Sequence, residues 1–349
     1  MAYSIQPADL KEHGDLLVSL WQKNFQGVSP GRFSWIYENN PNGPPTVFLL
    51  RHEESQLFIG AMALFPRPIM LKGQPVRSYI CGDMVVDNQH RSLGPALSLF
   101  KAALKQCDKE APCVLLSLPS NKSQPVALRA GYEVIGNFCE FTRVLKTRKY
   151  LLRSFKSPVI AAIFARPLDA FLRWRNEIFL ITKARGYGYE ILSDFDERFD
   201  NLLEKLKNNF VFIGERNRKF LKWRTRDSPY GTCDIFSIFT KKDKVSCGYV
   251  AFYRNDLRVN IVDFAFCEGV LGMQILLALF CRYMQTQAPD SISISLTSNP
   301  IFFLGLKKIG FAMRCVKNKA VLYASLDDNT IIKDISNCNW YITTADNDI

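Results

Sequence analysis

The stretch Val86-Asp87-Asn88-Gln89-His90-Arg91-Ser92-Leu93-Gly94-Pro95-Ala96 carries the reading of this chain. An apolar strand enters a short polar turn and leaves it as a helix. Gly94 allows close approach of the backbone to a ligand, and Pro95 suits a helical first turn. The unpaired N–H groups that follow point at whatever anion sits there. Arg91 adds a positive charge beside them. The turn is therefore suited to a pyrophosphate held by main-chain groups.

Working outward, 349 residues are long for one ordinary core and comfortable for two. With 48% hydrophobic and 22% charged residues, the composition is that of a globular protein. The start, Met-Ala-Tyr-Ser-Ile-Gln-Pro-Ala-Asp-Leu, lacks a basic segment leading into an apolar run, and no apolar stretch is long enough for a bilayer span. Ten cysteines stand singly without a C-x-x-C pair, which suits reduced thiols in a cytoplasm. With His13, His52 and His90 as the only histidines, no metal site is expected.

The chain says much the same thing twice. Gly31-Arg32-Phe33-Ser34-Trp35-Ile36-Tyr37 is echoed by Arg218-Lys219-Phe220-Leu221-Lys222-Trp223. Each is followed by strand, polar turn, strand: 46–51 and 58–65 in one half, 234–240 and 247–253 in the other. A further strand, helix, strand, Asn-bearing loop and Gly-aromatic pair then recur. These are 80–86, 95–106, 113–118, Asn121 and Gly131-Tyr132, against 259–266, 272–285, 291–296, Asn299 and Gly310-Phe311. Two copies of one α/β domain are the simplest explanation.

Arg91-Ser92-Leu93-Gly94-Pro95-Ala96 resembles the Q/R-x-x-G-x-G/A acyl-CoA loop of the GCN5-related N-acetyltransferase (GNAT) superfamily, with Val86 five residues before the arginine as in many members. Downstream, Pro119-Ser120-Asn121 and Leu128-Arg129-Ala130-Gly131-Tyr132 resemble that family's second signature. The resemblance implies an α+β fold of two tandem GNAT-like domains, each a mixed, mostly antiparallel sheet flanked by helices. Their expected bounds are 1–145 and 189–327, with a basic helical connector at 146–188 and a tail at 328–349.

It also implies acyl transfer from acetyl-CoA or another acyl-CoA, as cosubstrate and without metal, to a small primary amine. Pantetheine would pair with the backbone of Met84, Val85 and Val86, and the pyrophosphate would rest on Arg91, Ser92, Leu93, Gly94, Pro95 and Ala96, with Asn121 nearby. Acyl transfer needs a base for the ammonium and a proton for the departing thiolate. Asp83, eight residues before Arg91, is the expected base. Ala127 stands where many members carry the acid tyrosine, which leaves the neighbouring Tyr132 or a water for that role.

The second half keeps glycines in Glu268-Gly269-Val270-Leu271-Gly272 but has a shorter loop with no basic residue before Gly272. It is expected not to hold a pyrophosphate, but to cover the first half and supply acceptor contacts. Glu268 there reads first as a solvated loop carboxylate and second as a site residue.

Much of the formal +12 charge lies between Arg143 and Arg185, against only Asp169 and Glu177. Leu151, Leu152, Phe155, Val159, Ile160, Ile163, Phe164, Leu168, Phe171 and Leu172 are interleaved with it. Three readings compete, in this order: a solvated connector whose apolar face packs on the domains, a peripheral contact with an inner membrane face, and, least expected, nucleic acid.

The run Asn339-Trp340-Tyr341-Ile342-Thr343-Thr344-Ala345-Asp346-Asn347-Asp348-Ile349 is an aromatic anchor followed by carboxylates, a docked tail or a frayed end. It resembles the W-x-x-T-x-x-D-x-D ending of tandem acetyltransferase-like proteins associated with bacterial surface-polysaccharide synthesis, which implies an amino-sugar acceptor. Two other classes stay open. One is a noncatalytic binding or regulatory module, and the other an aminoacyl-tRNA-dependent transferase of the peptidoglycan-bridge type.

Overall fold

Alternate residues of the central strands bury their side chains on opposite faces. Val47, Leu49, Ala61, Ala63 and Phe65 meet Leu17, Leu20 and Trp21 on one side. Phe48, Leu50, Ile59, Met62 and Leu64 meet Leu99, Phe100, Ala103 and Leu104 on the other. A sheet covered on both faces has strands that read as nearly continuous apolar runs, as these do.

The computed structural model describes residues 3–298, 300–325 and 340–347. Asn299, Asn339, Asp348 and Ile349, and the expected boundary at 327/328, lie outside the described residues. In chain order the first half contains β1 (Tyr3–Pro7), α1 (Leu10–Asn24), a π-helical turn (Ser34–Glu38), β2 (Thr46–His52), β3 (Phe58–Pro66), β4 (Ile69–Leu71), β5 (Gln74–Val86), α2 (Leu93–Lys109), β6 (Cys113–Ser117), α3 (Gln124–Ala130) and β7 (Glu133–Val144). A helical hairpin follows, α4 (Arg148–Phe155) and α5 (Pro158–Lys183). The second half contains β8 (Tyr187–Leu192), α6 (Glu197–Leu206), β9 (Phe212–Gly214), α7 (Arg218–Thr225), β10 (Asp234–Thr240), β11 (Ser246–Asn255), β12 (Arg258–Phe266), α8 (Gly269–Gln287), β13 (Ser291–Ser298), α9 (Pro300–Lys308), β14 (Ala312–Ser325) and β15 (Trp340–Thr343).

Each half has a parallel strand pair at its centre, and the second has another between β9 and β15. β5 and β6 run parallel from Arg77↔Cys113 to Ile80↔Leu116. β12 and β13 do so from Arg258↔Ser291 to Ile261↔Ile294. The strands that complete the two sheets are exchanged between halves. β14 of the second half lies antiparallel to β6, with Leu322 opposite Leu116. β7 of the first half lies antiparallel to β13, with Arg143 opposite Ile292. β7 and β14 also pair with each other, and the strands among the described residues join one continuous sheet.

The exchange means that segments 1–145 and 189–327 each carry a strand that closes the other's sheet. A cut at the connector would leave β6 with an unpaired edge.

A second junction repeats the two-fold relation at side-chain level. Trp35 and Trp223 stack with ring centroids 5.0 Å apart. Each indole N–H donates to the other's carbonyl oxygen at 2.9 Å. A contact in which i meets j and j meets i is what a two-fold axis produces. The echo of Gly31–Tyr37 in Arg218–Trp223 thus has a physical role, since each copy anchors the other.

Candidate functional site

β5 and β6 stop pairing after Ile80 and Leu116 and splay apart. Where they part, Ser117 Oγ donates to the Cys81 carbonyl at 3.3 Å. Beyond that point a cavity of about 430 Å³ opens, walled by Cys81, Gly82, Asp83 and Met84 on one strand and by Ser117 through Ser120 and Ser123 on the other. Trp21, Phe25, Gln26, Gly27 and Val28 at the end of α1, with Arg32, close it from the side. The far edge of β5 is engaged by β3 through Gly60↔Val86 and Ala61↔Val85. Of the three residues expected to pair with pantetheine, Met84 lines the cavity, while Val85 and Val86 lie further along β5, beyond its last pairing with β6.

The 88–96 loop leads straight from this gap into α2. Asp87 caps a short 3-10 turn by accepting from the Gln89 N–H at 3.2 Å. Ser92 is the N-cap of α2 and makes no side-chain capping bond. Its own N–H donates to the His90 carbonyl at 2.8 Å. Pro95 has no N–H, so Leu93 and Gly94 supply the first-turn donors that a helix cannot satisfy internally, with Ala96 one step further in. Arg91 folds back, donating from Nε to the Val86 carbonyl at 3.0 Å and from Nη2 to Asn24 at 2.9 Å. Its positive charge is held beside the helix N-terminus, a ready anion site. Asn121 is exposed, in the turn between Ser120 and Ser123 whose serines line the cavity.

The two residues expected to do proton chemistry are placed differently from that expectation. Asp83 lines the cavity, but both its oxygens are engaged by Arg32 at 2.6 Å, and Oδ2 accepts from Tyr37 at 2.8 Å. The Arg32 and Asp83 side chains are 5% and 7% exposed. Burial works against the Arg32 charge, yet the Asp83 carboxylate more than offsets this and holds its pKa above the ordinary value. Both carboxylate oxygens of Asp83 are thus taken up in a two-point ion pair with a buried guanidinium.

Tyr132 is buried between the sheet and α2, edge-on to Phe100. Its hydroxyl meets Cys81 Sγ at 3.1 Å, and burial pushes its pKa well above the usual tyrosine value. It is a core residue that touches the cavity wall from behind, because the Gly131 turn, at φ 122°, directs the next side chain inward.

The second half has the same architecture with its gap closed. A Cβ on Gly60 would fall 2.6 Å from the Val85 carbonyl, and one on Gly248 would fall 2.6 Å from that of Ala265. Asp263 therefore stands where Asp83 stands. It too is gripped by an arginine and a tyrosine, Arg216 at 3.1 Å and Tyr249 at 2.5 Å. Past Ile294, where β13 leaves β12, β15 takes the vacated edge through Leu296↔Thr343 and Thr297↔Ile342. Tyr341 donates to the Phe264 carbonyl at 2.5 Å and Thr343 to Asp263 at 2.5 Å.

Residues 340–347 are thus docked in the second splay and fill it. Asp346 links the halves by accepting from Arg216 at 2.5 Å and from Arg67 of the first half at 2.6 Å. At the loop, a Cβ on Gly272 would lie 1.7 Å from the Cys267 carbonyl, so helix and strand end touch where a phosphate would need room. Glu268 accepts from Tyr187 at 2.7 Å and belongs to that contact.

Three residues at the site escaped the sequence reading. Arg32 and Tyr37 lay inside the repeat echo but carried no signal of pairing with Asp83. Tyr230, from the loop after α7, reaches the cavity from the second half and sits edge-on to Trp35 at 6.2 Å. Among the described residues it is the one phenol lining the cavity.

No protein-family model matches the chain, and no curated protein matches it by sequence. Solved structures do match its fold. A GCN5-related N-acetyltransferase from Anabaena variabilis superposes with a TM-score of 0.65 at 14% identity, covering 92% of this chain and 72% of that one. A conserved protein of unknown function from Enterococcus faecalis, described as a probable N-acyltransferase, gives 0.66 at 11%, covering 93% and 73%. The Saccharomyces cerevisiae N-myristoyltransferase with bound myristoyl-CoA gives 0.53 at 13%, covering 92% and 82%. Over nine-tenths of its length, then, this chain has the fold of the GCN5-related N-acetyltransferases.

Proposed function

We propose that the first half binds acyl-CoA in the gap between β5 and β6 and transfers its acyl group to a primary amine. The observation that carries the reading is the contrast between the two gaps. One opens into a cavity along β5, the strand that runs on into the Arg91 loop and the N-terminus of α2, while its counterpart is filled by β15. Pantetheine would lie along Met84–Val86 and the pyrophosphate on 91–96.

The amine nitrogen attacks the thioester carbonyl carbon, forming the C–N bond and a tetrahedral oxyanion. A main-chain N–H of β5 would stabilise that charge. Collapse of the intermediate breaks the C–S bond and releases the CoA thiolate. The ammonium loses its proton to water before attack, and Tyr230 or a water donates a proton to the departing thiolate, since Asp83 and Tyr132 are otherwise engaged.

For the acceptor we take an amino sugar. The support is the W-x-x-T-x-x-D-x-D ending and the set of hydroxyl-matching groups, Gln26, Ser120, Ser123 and Tyr230, on the cavity wall. A second reading, a binding module without turnover, is favoured by the engagement of both expected proton carriers.

One experiment separates them. Acetyl-CoA at a hundred times its Kd should stabilise the protein by about 2.7 kcal/mol. The shift should vanish in Gly94→Trp and persist in Leu271→Trp, the second-half counterpart. No shift in the wild type sinks the site. A shift without CoA release on any amino sugar or other amine sinks the transferase and leaves the binding module.

A further inference from the structure

We infer that the α4–α5 hairpin docks the protein on an anionic membrane surface, lying in the plane of the headgroups. α5 runs 26 residues, about 39 Å, yet only Ala161, Ala165, Asn176 and Leu180 along it are buried. Asn176 fixes the helix to the body, donating to the Ala278 carbonyl at 3.2 Å and accepting from Arg143 at 2.9 Å.

The face opposite this stripe is apolar. Ile160, Ile163, Phe164, Phe171, Trp174 and Ile178 share that face at spacings of three, four and seven residues, and all are exposed, Trp174 by 60%. A connector of the ordinary kind would turn this face inward and its charges outward; here the apolar face looks out. A contiguous exposed apolar surface rimmed by polar groups marks an interaction site.

The charges say what covers it. Arg166 and Arg173 flank the apolar stripe, and Arg148, Arg153 and Lys156 surround the adjoining α4, where Phe155 stacks on Phe164 at 5.5 Å. The two acids of the hairpin are engaged elsewhere. Asp169 accepts from the Thr147 N–H and hydroxyl, each at 2.8 Å, and Glu177 faces Arg282 at 3.5 Å. A second copy seated on this face would bring like charges together, whereas an anionic lipid supplies the missing counter-charge. Apolar centre, basic flanks and an exposed tryptophan are the composition of an interfacial helix. Among the described residues no helix is long and apolar enough to cross the membrane, so the contact is with its surface.

The test is flotation of the full chain with vesicles of phosphatidylcholine alone or mixed with phosphatidylglycerol, with sedimentation velocity on the lipid-free protein. The wild type should float with the mixed vesicles only. Arg166→Gln with Arg173→Gln should weaken binding by about 30-fold, at roughly one decade per 1.4 kcal/mol and about 1 kcal/mol per charge. Phe171→Asp with Trp174→Asp, both at exposed positions, should abolish it with the melting transition kept. Failure to float with the mixed vesicles overturns the inference, as does equal binding to phosphatidylcholine alone. A lipid-free dimer dissolved by the aspartate pair would likewise overturn it and assign the face to a second copy.

Discussion

Replacing Asp83 with Asn tests whether this carboxylate is a base or a strut. In the structure it takes two 2.6 Å hydrogen bonds from Arg32 and one of 2.8 Å from Tyr37, in surroundings that leave the pair 5% and 7% exposed. The amide keeps the shape and removes the charge, so Arg32 is left buried and uncompensated. Breaking a buried pair from one side costs about 3–5 kcal/mol. For a chain of this size that lowers Tm by roughly 6–10 °C, at about 2 °C per kcal/mol.

Arg32→Met combined with Asp83→Leu removes both charges and should recover most of the loss, short of about 1 kcal/mol for the orphaned Tyr37 hydroxyl. The assay is calorimetric melting of wild type, single and double variants, beside acyl transfer at saturating acyl-CoA. If Asp83→Asn melts with the wild type while turnover falls by roughly 10²–10⁴, the residue is the base and the strut argument is wrong.

Three further outcomes follow from the same geometry. Burial raises the Asp346 pKa, but Arg216 and Arg67 more than offset it and pull it from 3.8 to about 2. Its contribution is thus present above pH 4 and lost as pH falls toward 2, and Asp346→Asn should flatten the acid limb of a stability–pH curve over that window. Trp35→Ala and Trp223→Ala should each cost about 3–5 kcal/mol in denaturant unfolding, and the double variant clearly less than their sum, because both remove one stacked, reciprocally bonded pair. Equal additivity would mean that the pair is incidental. Tyr230→Phe should lower kcat by roughly 10²-fold with the KM for acyl-CoA unchanged; an unchanged kcat would assign the proton to water.

Much of this was legible in the chain. The Val86–Ala96 stretch determined a strand, a polar turn and a helix, since Gly94, Pro95 and the apolar face of 96–104 leave the backbone few other choices. The doubled element order told of two like halves, and the absence of a basic residue before Gly272 set the second loop apart from the first. These are local signals, written within a few residues of where they act.

What tertiary structure alone decided were relations across long sequence separations. Asp83 looks like any strand carboxylate until the chain folds and Arg32, 51 positions away, engages both its oxygens. β7 and β14 have the length and pattern of ordinary last strands, and nothing in either says that each closes the other half's sheet. The carboxyl-terminal run announces an anchor, but only the splay left by β12 and β13 makes it a plug. The amphipathic pattern of 158–183 gave two faces without saying which turns inward. That choice fell to Ala161 and Ala165, small enough to pack close, to the hydrogen-bonded Asn176 and to Leu180, which joins the core, leaving the other apolar stripe outside.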